Sequence, residues 1–468
     1  MKKILIRAIS LILCMAMVLG YTLIPGTISS LIPTAQAATS NNTNLLGENL
    51  IANGTFEPKY SWQSANTTGW TKHGGWWEYI KVKGYYGKNT YVAHTIDDNI
   101  ATSAGGHGTG GHIYPAVAVA EALKQKYGED VELLFVGAEG KMEMEKVPAL
   151  GYRIEGLPVA GLQRKLSLKN FALPFKVAAS IRRAKNIIRQ FKADIVVGFG
   201  GYASAPVLWA AQRLGIPTII QEQNSYAGLT NKLLSKRAKR ICVSYDKMER
   251  FFPADRIVMT GNPLRGRFSA SGSNRQEALA YYGFNDTMPV VLVVGGSLGT
   301  RTLNEMMKAW ILTLDGEAPV QVIWQTGKYY EKEMQEFLNA HPTKNIWQGA
   351  FIDRMDYAYA AANVVLSRSG ACTVSELCLV AKPTIFVPSP NVSEDHQTKN
   401  AMALVEKGAA EIVRDNEAVE RGMHEAVALA SDSARLEKLS TNIAQLAISD
   451  SAERVVKEIE RELANVKR

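Results

Sequence analysis

From about Ile100 onward, short apolar runs alternate with amphipathic helical stretches, and this alternation limits the possible folds more than any other feature. Leu133 to Val136, Ile195 to Val197, Thr218 to Ile220, Ile241 to Ser244 and Ile257 to Thr260 read as one series of strands. Val290 to Val294, Val320 to Gln325, Val364 to Ser367 and Thr384 to Val387 read as a second. Strands that are apolar throughout need cover on both faces, so each series predicts a parallel sheet layered between helices. The expected class is therefore α/β, with two Rossmann-like domains and any ligand held between them where the strands end. A chain of 468 residues has room for both and for a further N-terminal segment.

That segment differs in texture. Met1 to about Ala38 reads as an export signal: Lys2, Lys3 and Arg7 precede the apolar run Ile9 to Leu19, and Ala35-Gln-Ala37 offers small residues for cleavage. A membrane anchor is the alternative, but Gly20, Pro25 and Gly26 interrupt the run before it reaches about 20 apolar residues. Residues 39–98 scatter Trp62, Trp70, Trp76, Trp77, Tyr79, Tyr85, Tyr86 and Tyr91 among Gly, Asn and Thr, which suggests short β-strands. Asn49-Leu-Ile-Ala-Asn-Gly-Thr-Phe56 resembles the opening of secreted carbohydrate-binding β-sandwich modules, here truncated. Such aromatics stack on sugars or, more often, fill a core. The divisions expected are 1–38, 39–98, 99–263, 264–445 and a C-terminal helix in 446–468. In that helix Val455, Val456, Ile459 and Leu463 fall on one face. Cys242, Cys372 and Cys378 have no metal-ligand spacing and read as buried thiols.

The net charge of +9 suits an anionic partner and leaves open whether that is nucleic acid, a membrane surface or a phosphorylated substrate. Local motifs narrow the field. Gly108-Thr-Gly-Gly-His112 and Val294-Gly-Gly-Ser-Leu-Gly299 are glycine-rich turns that let a backbone approach a phosphate; the first is not a Walker motif, since no Gly-Lys-Ser/Thr ending follows. Ser367-Arg-Ser-Gly-Ala-Cys-Thr-Val-Ser-Glu376 joins an apolar strand to a helix start through small residues, the βα geometry that aims free amides at an anion. If a nucleotide lies there, Glu376 can accept from ribose hydroxyls; a capped helix with no ligand fits that stretch equally well. His112 is either a general base or a histidine satisfied at a helix start. Ser297 is either a diphosphate contact or a helix cap. Arg265 is either a counter-charge to a leaving diphosphate or a surface charge.

Thr109-Gly-Gly-His112, Gly200-Gly-Tyr202, Gln221-Glu-Gln-Asn224 with Ala227-Gly-Leu-Thr-Asn231, Gly261-Asn-Pro263, Gly295-Gly-Ser297, Ser367-Arg-Ser-Gly370, Thr373-Val-Ser-Glu376 and Asp395-His-Gln-Thr-Lys-Asn400 follow one another as in the MurG glycosyltransferases. The resemblance runs from about Gly105 to the C-terminus. It implies a GT-B fold, a UDP-N-acetylglucosamine donor, no tightly bound cofactor or metal, and inverting transfer to an undecaprenyl-diphosphate-linked muramyl-pentapeptide. By the same resemblance Thr109, Gly110, Gly111, Asn224, Arg265, Ser297, Ile352, Ala371, Cys372, Thr373, Val374, Ser375, Glu376 and Gln397 match donor-contacting positions. Glu376 would hold the ribose, Ile352 the uracil edge and Gln397 the sugar hydroxyls. His112 and Tyr202 match positions facing the acceptor, and His112 is the first choice for the proton acceptor. His107 stands where the family usually has glycine, and the family's first strand would fall in His94 to Ala104, which is poor in apolar residues.

The partners implied are the lipid-linked acceptor, an anionic membrane surface and other cell-wall synthesis proteins, with no nucleic acid. Leu162 to Lys192 mixes basic and apolar residues, among them Arg164, Lys165, Phe171, Leu173, Phe175, Arg182, Arg183 and Lys185, as a membrane-facing helix would; an ordinary amphipathic helix has the same pattern. The MurG-like body implies the cytoplasmic face of the membrane, whereas the signal-like start implies export. The whole therefore reads as a secreted-protein N-terminus joined to a MurG-like body. A different UDP-sugar enzyme on the same fold, such as an epimerase or another lipid glycosyltransferase, and a secreted carbohydrate-binding protein are the competing readings.

Overall fold

The computed structural model describes residues 89–93, 111–159, 173–201, 203–264, 274–296 and 298–466, all within the compact unit Trp77–Arg468. The signal-like segment and the aromatic-rich stretch up to residue 88 lie outside the described residues.

The first half contains β1 (Asn89–Ala93), α1 (Ile113–Tyr127), β2 (Phe135–Ala138), α2 (Glu143–Ala149), β3 (Ile154–Leu157), α3 (Leu173–Phe191) and β4 (Ala193–Gly198). It continues through α4 (Ser204–Arg213), β5 (Thr218–Glu222), α5 (Leu229–Leu234), β6 (Arg240–Val243) and β7 (Ile257–Met259). Its strands run β1-β4-β5-β6-β7, all parallel, with β2 and β3 paired separately and β2 lying beside β1. The strand beside β4 is thus drawn from Asn89–Ala93, ahead of the segment 94–104 where the sequence places it.

The second half contains α6 (Arg275–Tyr282), β8 (Val290–Val294), α7 (Arg301–Ile311), β9 (Glu317–Gln325), α8 (Glu331–Ala340), β10 (Lys344–Gly349), α9 (Met355–Ala361) and β11 (Val364–Ser367). It continues through α10 (Ala371–Leu379), β12 (Thr384–Phe386), α11 (His396–Val405), β13 (Glu411–Ile412), α12 (Ala418–Ala430) and α13 (Ser433–Ala444). The parallel order β10-β9-β8-β11-β12-β13 places the first strand of the half centrally, with later strands added first on one side and then on the other. In such a sheet the loops leaving β8 and β11 diverge to opposite faces and open a crevice at the strands' C-terminal ends.

Strand periodicity divides the cores. Val290, Leu292 and Val294 of β8 join one buried cluster, while Val291 and Val293 join the other. In the first half, Ile195 and Val197 face one cluster and Val196 the opposite one. Both sheets are therefore covered on both faces, as uniformly apolar strands require.

The last helix, α14 (Ser451–Val466), leaves the second half and packs on the first. Val455, Val456 and Ile459 are buried among α1 and strand residues, with Leu463 packed against them, on the single face read from the sequence. Arg240 of β6 meets Glu458 at 3.3 Å and Glu462 at 3.1 Å, so two nearly buried carboxylates share one guanidinium. Near the crossing, a Cβ on Gly261 would lie 2.5 Å from the Ser451 hydroxyl, and φ is +78° there, so only glycine lets the chains pass. Ile459→Ala is expected to cost about 2–5 kcal/mol in denaturant unfolding; a loss below about 1 kcal/mol would show that α14 is not part of the first core.

Candidate functional site

Five of the residues assigned from sequence, Thr109, Gly110, Tyr202, Arg265 and Ser297, lie outside the described residues. The others gather where the C-terminal ends of the two sheets meet, within the same compact unit.

In the second half, β8 runs into the glycine turn and then α7. Gly299 has φ +74°, and a Cβ there would lie 2.0 Å from the Thr326 carbonyl oxygen. A Cβ on Gly327 would lie 2.1 Å from the Leu298 carbonyl oxygen. The turns after β8 and β9 therefore interlock backbone to backbone, which fixes the floor of the crevice and explains the glycines by packing as much as by ligand access. The Thr300 hydroxyl donates to Gly295 O at 2.8 Å and does not cap α7.

On the other side of the crevice, β11 ends in Ser367 and α10 starts after Gly370, whose extended backbone supplies no side-chain cap. The first amides of α10 are left to water or an anion. Within the 371–376 stretch the side chains point in different directions. Ala371, Cys372, Thr373, Ser375 and Glu376 keep some exposure, whereas Val374 is buried in the core and has only its backbone to offer. Ile352 is likewise buried, at 5% exposure, so an interaction there with a base edge would be through its main chain.

Glu376 retains some solvent contact as a residue, but its carboxylate sits deep. The buried Tyr359 hydroxyl donates to it at 3.2 Å. Burial pushes its pKa up to about 7, with the Tyr359 bond acting in the opposite direction. Burial, and then the Glu376 charge, push the Cys372 thiol up to about 12, so it remains a thiol. Gln397, in the first turn of α11, accepts from the Ser389 amide through Oε1 at 2.9 Å, which leaves its NH2 to donate to a hydroxyl. Its main-chain carbonyl accepts from the Ser369 hydroxyl at 2.9 Å, tying α11 to the β11 turn.

In the first half, His112 precedes α1, and its Nδ1 lies 2.8 Å from Gln223 Oε1. The turn after β4 passes beneath it: Gly200 has φ +100°, and a Cβ there would lie 3.3 Å from His112 Cε1. The Gly111 carbonyl accepts from the Cys372 thiol at 3.8 Å, and Asn262 Nδ2 approaches the same sulfur at 3.9 Å.

Asn224 is engaged at both ends of its amide. Its Oδ1 accepts from Asn400 Nδ2 at 3.1 Å and its Nδ2 donates to Glu222 at 3.3 Å. Asn400 is fully buried; it also accepts from the Ser225 amide at 2.9 Å and donates to Ser369 O at 3.3 Å, so it bridges the turns after β5 and β11. Glu222 accepts from the Asn224 amide at 3.1 Å, the Gly228 amide at 3.0 Å and Asn231 Nδ2 at 2.8 Å. Sequence reasoning gave no role to Glu222, Gln223, Asn262, Tyr359 or Asn400. All but Tyr359 stand inside the motifs quoted above, and that was the available signal. Among the described residues no three His, Cys, Asp or Glu side chains cluster as a metal site.

The raised pKa of Glu376 has a sign that can be tested. Between the ordinary carboxylate range and about pH 7 the folded chain holds a proton that the unfolded chain has lost. Stability from this group is thus fully present at acidic pH and is lost as pH rises through about 7. Glu376→Gln is expected to raise the Tm at about pH 8 relative to the parent and to shrink the Tm increase given by UDP, both read by thermal unfolding. An unchanged response to UDP would contradict the ribose assignment.

Residues 102–243 match the glycosyltransferase family 28 N-terminal domain and residues 290–455 match the glycosyltransferase family 28 C-terminal domain. The first match begins after β1. A Parabacteroides distasonis protein named UDP-N-acetylglucosamine–N-acetylmuramyl-(pentapeptide) pyrophosphoryl-undecaprenol N-acetylglucosamine transferase is 52% identical over 356 residues, covering 76% of this chain and 96% of that one. A protein of the same name from Porphyromonas gingivalis W83 is 52% identical over 364 residues, covering 78% and 96%. The crystal structure of Acinetobacter baumannii MurG superimposes with a TM-score of 0.62 at 29% identity, covering 80% of this chain and 99% of that one. The calicheamicin glycosyltransferase CalG4, at 16% identity and a TM-score of 0.58, shares the fold. With both domain models matched and about half of the residues shared over nearly the whole length of these relatives, the chain belongs to glycosyltransferase family 28.

Proposed function

We propose that the chain transfers N-acetylglucosamine from UDP-N-acetylglucosamine to undecaprenyl-diphosphate-linked muramyl-pentapeptide, with inversion at the anomeric carbon. The observation that carries this reading is the 52% identity, across both halves, to a relative named for that transfer. In the displacement, a muramyl hydroxyl oxygen forms the new bond to the anomeric carbon while the bond from that carbon to the β-phosphate oxygen breaks. UDP leaves with the electron pair, and the hydroxyl proton passes to His112. The charge that builds on the diphosphate meets the uncapped N-terminus of α10, the turn after β8, Ser297 and Arg265. By the resemblance Thr109, Gly110 and Gly111 are assigned to the donor and Tyr202 to the acceptor. Glu376 holds the ribose, the Ile352 backbone the uracil edge and the Gln397 NH2 a sugar hydroxyl. Asn224 acts through the bridge to Asn400.

The acceptor's lipid places the working enzyme at a membrane. No helix among the described residues is long and apolar enough to cross one, and the reading is peripheral attachment to the anionic cytoplasmic face. The outer side of α3 supports this, since Lys176, Val177 and Arg182 are exposed there. Arg183 of the same helix is paired with Glu139 at 2.8 Å, which reduces its contribution. Other cell-wall synthesis proteins at that surface are the further partners of this reading.

Incubation with UDP-N-acetylglucosamine is the test. Acceptor-dependent release of UDP, with a lipid-linked disaccharide as product, is expected. Conversion of the donor without any acceptor would instead point to an epimerase.

A further inference from the structure

We infer that Gln223 fixes the tautomer of His112, holding the proton on Nδ1 and keeping the Nε2 lone pair bare. Gln223 follows β5 and is 1% exposed, so its amide orientation is set by protein groups alone. Its Nε2 donates to the Phe199 carbonyl at 2.8 Å and to the Gln221 carbonyl at 3.3 Å, and also to the Gln221 side-chain oxygen. Main-chain carbonyls have no hydrogen to give, so a flipped amide would press oxygen against oxygen at both contacts. The amide therefore has one allowed orientation, and it turns Oε1 toward His112 Nδ1 at 2.8 Å. A carbonyl oxygen only accepts, hence Nδ1 must carry the hydrogen. In a neutral imidazole with Nδ1–H, Nε2 is the atom able to take a proton.

The choice of an amide over an acid matters. A carboxylate at this position would set its second oxygen against the Phe199 and Gln221 carbonyls, which an N–H donor satisfies, so the amide is the group that meets both carbonyls and His112 Nδ1 at once. The neighbouring carboxylate, Glu222, is occupied by the Asn224, Gly228 and Asn231 groups of the following turn. On the other side His112 meets Gly200, which is uncharged. Gln223 is thus a positioning residue, acting on the substrate only through His112, and its catalytic meaning rests on the proposed role of His112 as base.

Nitrogen-15 NMR of the full chain labelled at histidine, with His112→Asn to assign the signal, tests the inference directly. At about pH 8 the expected spectrum has Nδ1 protonated and Nε2 bare, and in Gln223→Met, which offers no comparable acceptor, the population should shift toward Nε2–H. A ring protonated on Nε2 in the parent chain, or an unchanged tautomer ratio in Gln223→Met, would overturn the inference. If Gln223→Met does not fold, the parent spectrum alone decides. Loss of the Nδ1–H form should be matched by a fall in kcat with little change in KM. A changed spectrum without a change in kcat would leave the tautomer assignment standing and remove His112 as the base.

Discussion

A buried amide, Asn400, ties together the turns that end the two sheets. Each half has its own sheet, and α14 links them by burying Val455, Val456 and Ile459 in a core of the first half. Asn400 aligns the strand ends at the level of individual hydrogen bonds, taking the Ser225 amide and giving to Asn224 Oδ1 and Ser369 O. With no exposure to water, losing one of these partners leaves a buried polar group unsatisfied, at a cost of about 1–3 kcal/mol. Gln397 lies one turn earlier on the same helix, so the residue proposed to touch the sugar and the residue that holds the halves share one rigid element. Tyr245, packed against clusters of both halves, and the Lys407–Asp246 pair at 2.9 Å reinforce the same junction.

Two carboxylates near this junction show how burial separates scaffold from site. Glu222 is 2% exposed and receives N–H groups from Asn224, Gly228 and Asn231, so its charge is satisfied by the turn it organises. Glu376 has the Tyr359 hydroxyl and a pKa lifted to about 7. It is the under-satisfied one, and hydroxyls donated by a ribose would supply what the protein does not. Identity of residue type thus says little; the number of donors in place distinguishes an anchor from a group poised for a ligand.

The central strands were legible because burial on both faces leaves an unmistakable apolar run, as in Val290–Val294 and Val364–Ser367. The strands that escaped lie at edges or are broken by polar residues. Lys344–Gly349 borders the second sheet and contains Lys, Asn and Gln, Glu411–Ile412 is a two-residue edge, and Ile154–Leu157 carries Glu and Gly. The first strand escaped because Asn89–Ala93 lies before the family match, in a stretch read as part of another module. At the site, the motifs and the resemblance they carry pointed to Glu376, Gln397 and His112 but not to what holds them. Tyr359 is distant in sequence and part of an amphipathic pattern, and the two ends of the Asn224 amide look the same in sequence whether they meet substrate or protein. Side-chain direction was the other blind spot: Val374, inside a motif, and Ile352, a position matched by the resemblance, both face the core.

The most direct measurement is a crystal structure of the full chain with UDP bound. The ribose hydroxyls should lie within hydrogen-bonding distance of the Glu376 carboxylate, and the diphosphate should rest against the N-terminus of α10 and the turn after β8, with the Asn400 bridge intact. A nucleotide bound away from the crevice between β8 and β11, or a Glu376 turned from the ribose, would contradict the assignment of this junction as the donor site.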